Sequence, residues 1–83
     1  MLIENSVDKR IYDFILQDMK SNNRNYSALT NPEISKALNI SPNTIRDKVA
    51  RLARNKYIVS LLNHWDENNN FFNRKMLLGP NRA

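Results

Sequence analysis

The sequence has no cysteine, one histidine and one glycine, and each scarcity closes off a class of chemistry. Without thiols there is no disulfide framework and no thiolate metal centre, and His64 by itself cannot supply a zinc site. With Gly79 the only glycine, the glycine-rich loop that cradles a nucleotide phosphate is excluded. No Ser/His/acid grouping resembles a triad, and no carboxylates pair on an apolar helix face. The chain is therefore expected to be a non-enzyme, with no catalytic residue, no cofactor, no metal and no small-molecule ligand. Long apolar runs are missing too. No stretch approaches the roughly 20 apolar residues that cross a bilayer, and the N-terminal MLIENSVDKR lacks a basic patch leading into an apolar segment. The expected location is the cytoplasm, with no membrane partner.

What is present fits one small domain over residues 1–83. A hydrophobic fraction of 41% with 25% charged residues is that of a chain that folds. The net charge of +5 is unevenly placed. Residues 1–25 are balanced, with Lys9, Arg10, Lys20 and Arg24 against Glu4, Asp8, Asp13 and Asp18. Residues 26–83 carry nine Lys/Arg against four Asp/Glu, which is the whole excess. From Arg46 to Lys56, five cations face one anion, Asp47. A local excess of this kind suits a polyanionic partner, although most basic stretches are only solvated faces.

Val7, Ile11, Phe14, Ile15 and Met19 fall on one helical stripe, which predicts a first helix over about residues 7–20 with Ser6 as its cap. The polar run from Ser21 to Asn25 ends it, and Tyr26-Ser27-Ala28-Leu29 is a candidate minimal strand. Asn31-Pro32-Glu33 is a helix start, with Asn31 able to accept from unpaired amides and proline suited to the first helical position. Ile34, Ala37 and Leu38 continue it as a second helix over about 32–38. Ser41-Pro42-Asn43-Thr44 repeats the device, and Ile45, Val49 and Leu52 give a third helix over about 42–54. Two capped helices separated by Asn39-Ile40-Ser41 cannot be collinear, because the second cap and its proline restart the chain. That is the physical core of a helix-turn-helix, with Ile40 pinning the turn. Beyond Lys56 the pattern becomes strand-like over about 57–65 and 71–78, divided by the turn-forming Asp66-Glu67-Asn68-Asn69-Asn70. One hairpin of this size is marginal alone and must pack on the helices. The expected class is mainly α with a small β-hairpin, an α+β arrangement of three helices and a two- or three-stranded wing sheet.

From Thr30 to Arg46, and on through Val49, Leu52, Tyr57 and Ile58, the chain resembles the winged helix-turn-helix of bacterial, plasmid and phage DNA-binding proteins. Trp65-Asp66-Glu67-Asn68 followed by Asn73-Arg74 is similar to the wing of many such sequences, so the resemblance covers about residues 7–78. It implies sequence-specific binding of double-stranded DNA through a recognition helix in the major groove, in a transcriptional regulator or a plasmid or phage replication or maintenance protein. One departure stands out. Such proteins usually carry glycine before the hydrophobic pair that opens the wing, and this chain has Lys56 there. Asn55 tolerates the left-handed conformation that closes a helix, so the cap is expected one residue early.

At about 100° per residue around the third helix, Asn43, Asp47, Ala50, Arg51 and Arg54 point away from the core, with Thr44 beside them and Arg46 and Lys48 on opposite flanks. This suits a groove: polar readers on the crest and cations along both edges. Asn43 is matched to an adenine edge and Arg51 or Arg54 to a guanine edge, while Thr44 suits a phosphate or a thymine methyl. Asp47 is expected to accept from cytosine or to hold Arg51 one turn on. Lys56, Arg74 and Lys75 are further phosphate candidates, and Asn68, Asn69 and Asn70 form a polar wing tip beside the acidic Asp66 and Glu67. Trp65 is assigned to core or hairpin packing ahead of partner contact, Tyr57, Phe71 and Phe72 to core or cross-strand packing, and His64 to no special role. A small contact area calls for a homodimer or adjacent sites, with Ile3, Tyr12 and Leu16 of the first helix as the dimer surface. Two alternatives remain. One is a winged-helix protein-interaction module, which would show an apolar third helix. The other is an RNA or shape-specific nucleic-acid binder, which would use Tyr57 or Trp65.

Overall fold

Three helices and three strands follow one another along the chain, as seen in a computed structural model that describes residues 6–81. Helix α1 (Ser6–Ser21) is followed by strand β1 (Tyr26–Ser27), helices α2 (Asn31–Leu38) and α3 (Pro42–Arg54), and strands β2 (Ile58–Trp65) and β3 (Phe71–Leu78). The strands form one antiparallel sheet in the order β1-β3-β2. The short Tyr26 segment is thus a third strand, paired Tyr26 to Leu77 and Ser27 to Met76.

The core gathers Ile11, Ile15 and Met19 from α1, Ile34 from α2, Ile45, Val49 and Leu52 from α3, and Tyr57, Ile58 and Met76 from the sheet and its approach. The first and third stripes converge as their spacing predicts, while in α2 Ile34 is buried, Leu38 is half-buried and Ala37 stays exposed. Tyr12 overturns one expectation. It is only 2% exposed and meets Tyr57 edge-on, with ring centroids 6.0 Å apart. Because α1 packs against α2, α3 and β1 together, it buries a wider arc than one stripe, and Leu16 is half-buried against the same core. Tyr12 and Leu16 therefore do not form an exposed dimer surface; Ile3, the third residue assigned to it, lies outside the described residues. Ser6 opens α1 instead of preceding it.

The start of α2 differs from expectation by one residue. Thr30 is the cap, in extended conformation, and forms a capping box: its hydroxyl accepts from the Glu33 amide at 3.3 Å, while Glu33 Oε1 accepts from the Thr30 amide at 2.9 Å. Threonine followed three residues later by glutamate satisfies two otherwise orphaned donors, which a lone Asn31 cap would not. At the other end Asn39 takes the left-handed conformation (φ 56°) and its amide donates to Ser35 O. Ser35 Oγ donates to Ile40 O at 2.5 Å, and Arg10 Nη2 reaches across from α1 to Leu38 O at 3.0 Å. Ser41 then caps α3, accepting from the Thr44 amide at 3.3 Å, with Pro42 in the first turn. The restart at proline is realised with a side chain at each step.

The junction of α3 with the sheet also corrects the sequence reading. Asn55 is not left-handed (φ −88°); Lys56 is, at φ 64°. Lys56 N donates to Ala53 O and Tyr57 N to Leu52 O, the paired closure of a Schellman cap with lysine in the place that favours glycine. What holds it there is the end of the chain: Gly79 N donates to Tyr57 O at 2.9 Å and Asn81 N to Lys56 O at 3.0 Å. A Cβ on Gly79 would stand 2.1 Å from the Lys56 carbonyl oxygen, so the one glycine is reserved for close backbone approach. Elsewhere asparagine does glycine's work, at Asn23, Asn39, Asn63 and Asn69, all with positive φ.

Lys56→Gly should raise stability by about 1 kcal/mol, because it removes the Cβ penalty of the left-handed region. Gly79→Ala should lower it by about 1–3 kcal/mol through overpacking against backbone. Urea denaturation of both variants checks the signs, which must be opposite.

Candidate nucleic-acid interface

Helix α3 is capped at both ends and holds its buried side with Ile45, Val49 and Leu52. Its opposite side is open to solvent: Pro42, Asn43, Arg46, Asp47, Ala50, Arg51 and Arg54 are all exposed. Thr44 is half-buried, its hydroxyl 3.4 Å from Ser41 Oγ, beside the cap it helps to close.

The charges on this face are organised differently from the helical-wheel expectation. Asp47 lies 3.5 Å from its neighbour Arg46, both about two-thirds exposed. It does not pair with Arg51. Arg51 Nε is instead 3.3 Å from Asp8 Oδ2, and Lys48 Nζ is 3.5 Å from Asp8 Oδ1. Asp8 stands in the first turn of α1 with a side chain 4% exposed, so it bridges two α3 cations from beneath. Lys48 and Arg51, three residues apart, therefore share the shoulder of α3 that faces α1, and Arg51 does not stand on the crest. By charge count alone Asp8 is one of four acids cancelling four bases in residues 1–25, which hides this role. The available signal was its place: an acid three and seven residues before Ile11 and Ile15 lies on the apolar stripe, where a charge needs a partner.

The wing redistributes three more residues. Arg74, expected to meet phosphate, turns inward and is half-buried: Nη1 donates to Asn31 Oδ1 at 2.6 Å and Nη2 to Leu29 O at 2.7 Å. It ties β3 to the β1–α2 connection, and burial lowers its pKa from the usual arginine value. This also explains what Asn31 does once Thr30 has taken the cap. Lys75 is half-buried, with Nζ 4.2 Å from the Tyr26 ring centroid and 5.3 Å from that of Phe72, a cation held over aromatic faces. At the tip, Asp66 Oδ1 accepts from the amides of Asn68 and Asn70 at 2.9 and 2.8 Å. Asn68, Asn69 and Asn70 are exposed and Asn69 is left-handed. Hydrogen bonds from Asn70 hold the Asp66 carboxyl below its ordinary range.

Trp65 lies along the hairpin, its ring centroid 5.0 Å from that of Phe71, and remains 63% exposed. Phe72 meets Tyr26 edge-on at 5.4 Å, Tyr57 is buried, and His64 is half-buried opposite Phe72. Lys56 is exposed at the α3–wing junction. Among the described residues no group of acids and histidine could hold a metal ion, and no helix is long and apolar enough to cross a membrane.

Two capped helices across a tight turn, an open polar face on the second, and a three-stranded sheet behind it define a winged helix-turn-helix protein. Residues 4–59 match the winged helix-turn-helix DNA-binding family, and the chain belongs to that family. No curated protein and no solved structure matches it. The family match takes in the three helices and ends at Val59, so most of the wing is described by the structure alone.

Arg74→Ala should cost about 1–3 kcal/mol by leaving polar groups of the β1–α2 connection unsatisfied, measured as a loss in thermal or urea stability. The wing-tip turn should depend on acid. The Asp66 pKa is lowered on folding, so its contribution is complete above the unfolded value of 3.8 and is lost as pH falls through the lower folded value. Protection of the Asn68 and Asn70 amides, measured relative to their intrinsic exchange rates, should fall in that window and stay level above it.

Proposed function

We propose that this protein reads double-stranded DNA sequence-specifically, with the exposed face of α3 in the major groove, as a transcriptional regulator or a plasmid or phage replication or maintenance protein. The observation that carries the reading is the open face of α3, where Asn43 and Arg54 flank Ala50 and Arg46 stands on the far edge from Lys48 and Arg51. Asn43 suits an adenine edge and arginine a guanine edge, while Arg46, Lys48 and Lys56 suit the phosphates on either side. Thr44 at the helix start suits a phosphate or a thymine methyl. Asp47, held by Arg46, suits a cytosine amine. The wing asparagines 68 to 70 suit a minor-groove edge or a sugar, whereas Arg74 and Lys75 serve the fold first.

A second reading, a protein-interaction module, is favoured by one observation. Apolar side chains stand out from the hairpin: Leu62 is 69% and Trp65 63% exposed, Val59 and Phe71 are exposed too, and Trp65 is paired with Phe71. The paired Trp65 and Phe71 suit a second copy of the chain, in place of Tyr12 and Leu16 of α1, which pack into the core.

A salt titration with duplex oligonucleotides separates the readings. For roughly four to six phosphate contacts the logarithmic slope should be about −4 to −5. Arg46→Ala should shallow it by about one unit, and Asn43→Ala should mainly relax base preference. Unchanged duplex affinity in the Arg46→Ala/Arg54→Ala double variant overturns the proposed surface.

A further inference from the structure

We infer that Asp8 is a positioning residue that sets Arg51 as a reader of guanine, an inference that rests on the DNA-binding reading above. Three observations meet at this carboxylate. It is nearly buried, it belongs to α1 and not to the recognition helix, and each of its oxygens faces a different cation of α3: Oδ2 faces Arg51 Nε at 3.3 Å and Oδ1 faces Lys48 Nζ at 3.5 Å.

The chemistry of each partner gives the arrangement direction. Arginine presents a planar fork of donors. Contact through Nε engages the part of the fork nearest the backbone, and the terminal Nη1 and Nη2 pair is the donor set that matches guanine O6 and N7 side by side. Arg51 keeps 51% of its side chain exposed despite the contact, so it is oriented without being covered. An arginine fixed before docking loses less conformational freedom on binding and accepts fewer wrong partners. Lys48, at 23% exposure on the other oxygen, offsets the negative charge that would otherwise face the phosphate backbone. The α1 N-terminus adds its favourable dipole. Arg54 has no such buttress among the ion pairs of the described residues and suits a sequence-independent contact. The preferred duplex should accordingly contain one G·C pair whose recognition depends on Arg51 and, through it, on Asp8.

The test begins with duplexes selected from a random pool by the full chain. Affinity is then measured for the selected duplex, for each single base-pair replacement and for an unrelated duplex, using wild type, Asp8→Asn, Arg51→Ala and the double variant. Thermal unfolding of each variant is recorded alongside. Wild type should discriminate at one G·C pair by tenfold or more, and Asp8→Asn should remove most of that preference. Asp8→Asn should bind the unrelated duplex no more weakly than wild type, since it removes a negative charge. In the Arg51→Ala background Asp8→Asn should add nothing to the loss of discrimination. If Asp8→Asn unfolds the chain, Asp8→Glu, which keeps the charge and moves the carboxylate by one methylene, carries the same comparison. Full discrimination in the Asp8 variant alongside its loss in Arg51→Ala would overturn the positioning role and leave the DNA reading intact. Absence of salt-dependent duplex binding by the wild type would sink both.

Discussion

An amide proton that proline does not have governs this molecule. Helix α2 could run on through Asn39 and Ile40 only if the following residues kept helical geometry and supplied donors to the turn behind them. Pro42 supplies none, and it pushes Ser41 out of the helical region. The chain must turn, and its pieces are arranged to make turning cheap. Asn39 accepts the left-handed conformation, Ser35 holds the Ile40 carbonyl, and Ser41 satisfies an amide of the next helix. Because α2 and α3 are held apart in direction, one side of α3 meets the core while the other meets solvent.

The wing is attached by backbone as well as by side chains. The segment after β3 returns to the end of α3, where Gly79 and Asn81 bond the carbonyls of Tyr57 and Lys56. That return clarifies an unusual economy. Among the described residues five are left-handed, yet the single glycine of the sequence sits at none of the five. Left-handed asparagine costs little, since its short amide side chain can bond locally. Close approach of two backbones at 2.1 Å from a would-be Cβ tolerates no side chain at all. The scarcer residue therefore occupies the place where nothing else fits.

Charge shows the same division between count and availability. The excess of positive charge lies in residues 26–83, but several of those cations are engaged within the protein, among them Arg46, which lies beside Asp47. Lys48 and Arg51 answer Asp8, Arg74 answers Leu29 and Asn31, and Lys75 stands over two rings. Net charge describes attraction at a distance. Which groups can touch a phosphate or a base is fixed by what each already touches.

Local physics determined much of this in advance. Apolar spacing at 3.6 residues placed the three helices and most of their core positions, and the restart of the chain at Ser41 and Pro42 was equally legible, whereas the α2 cap fell on Thr30 and not on Asn31. The open side of α3, with Asn43, Arg46, Asp47 and Arg54, followed from the same periodicity. What only tertiary structure decided were pairings between distant segments. Asp8 with Arg51, Asn31 with Arg74, Tyr12 with Tyr57 and Gly79 with Lys56 each join residues whose mutual distance no local pattern encodes. Helical periodicity gives the direction in which a side chain leaves its own axis. It cannot give what waits there, because that depends on how separate axes pack, and packing is settled by the whole core at once.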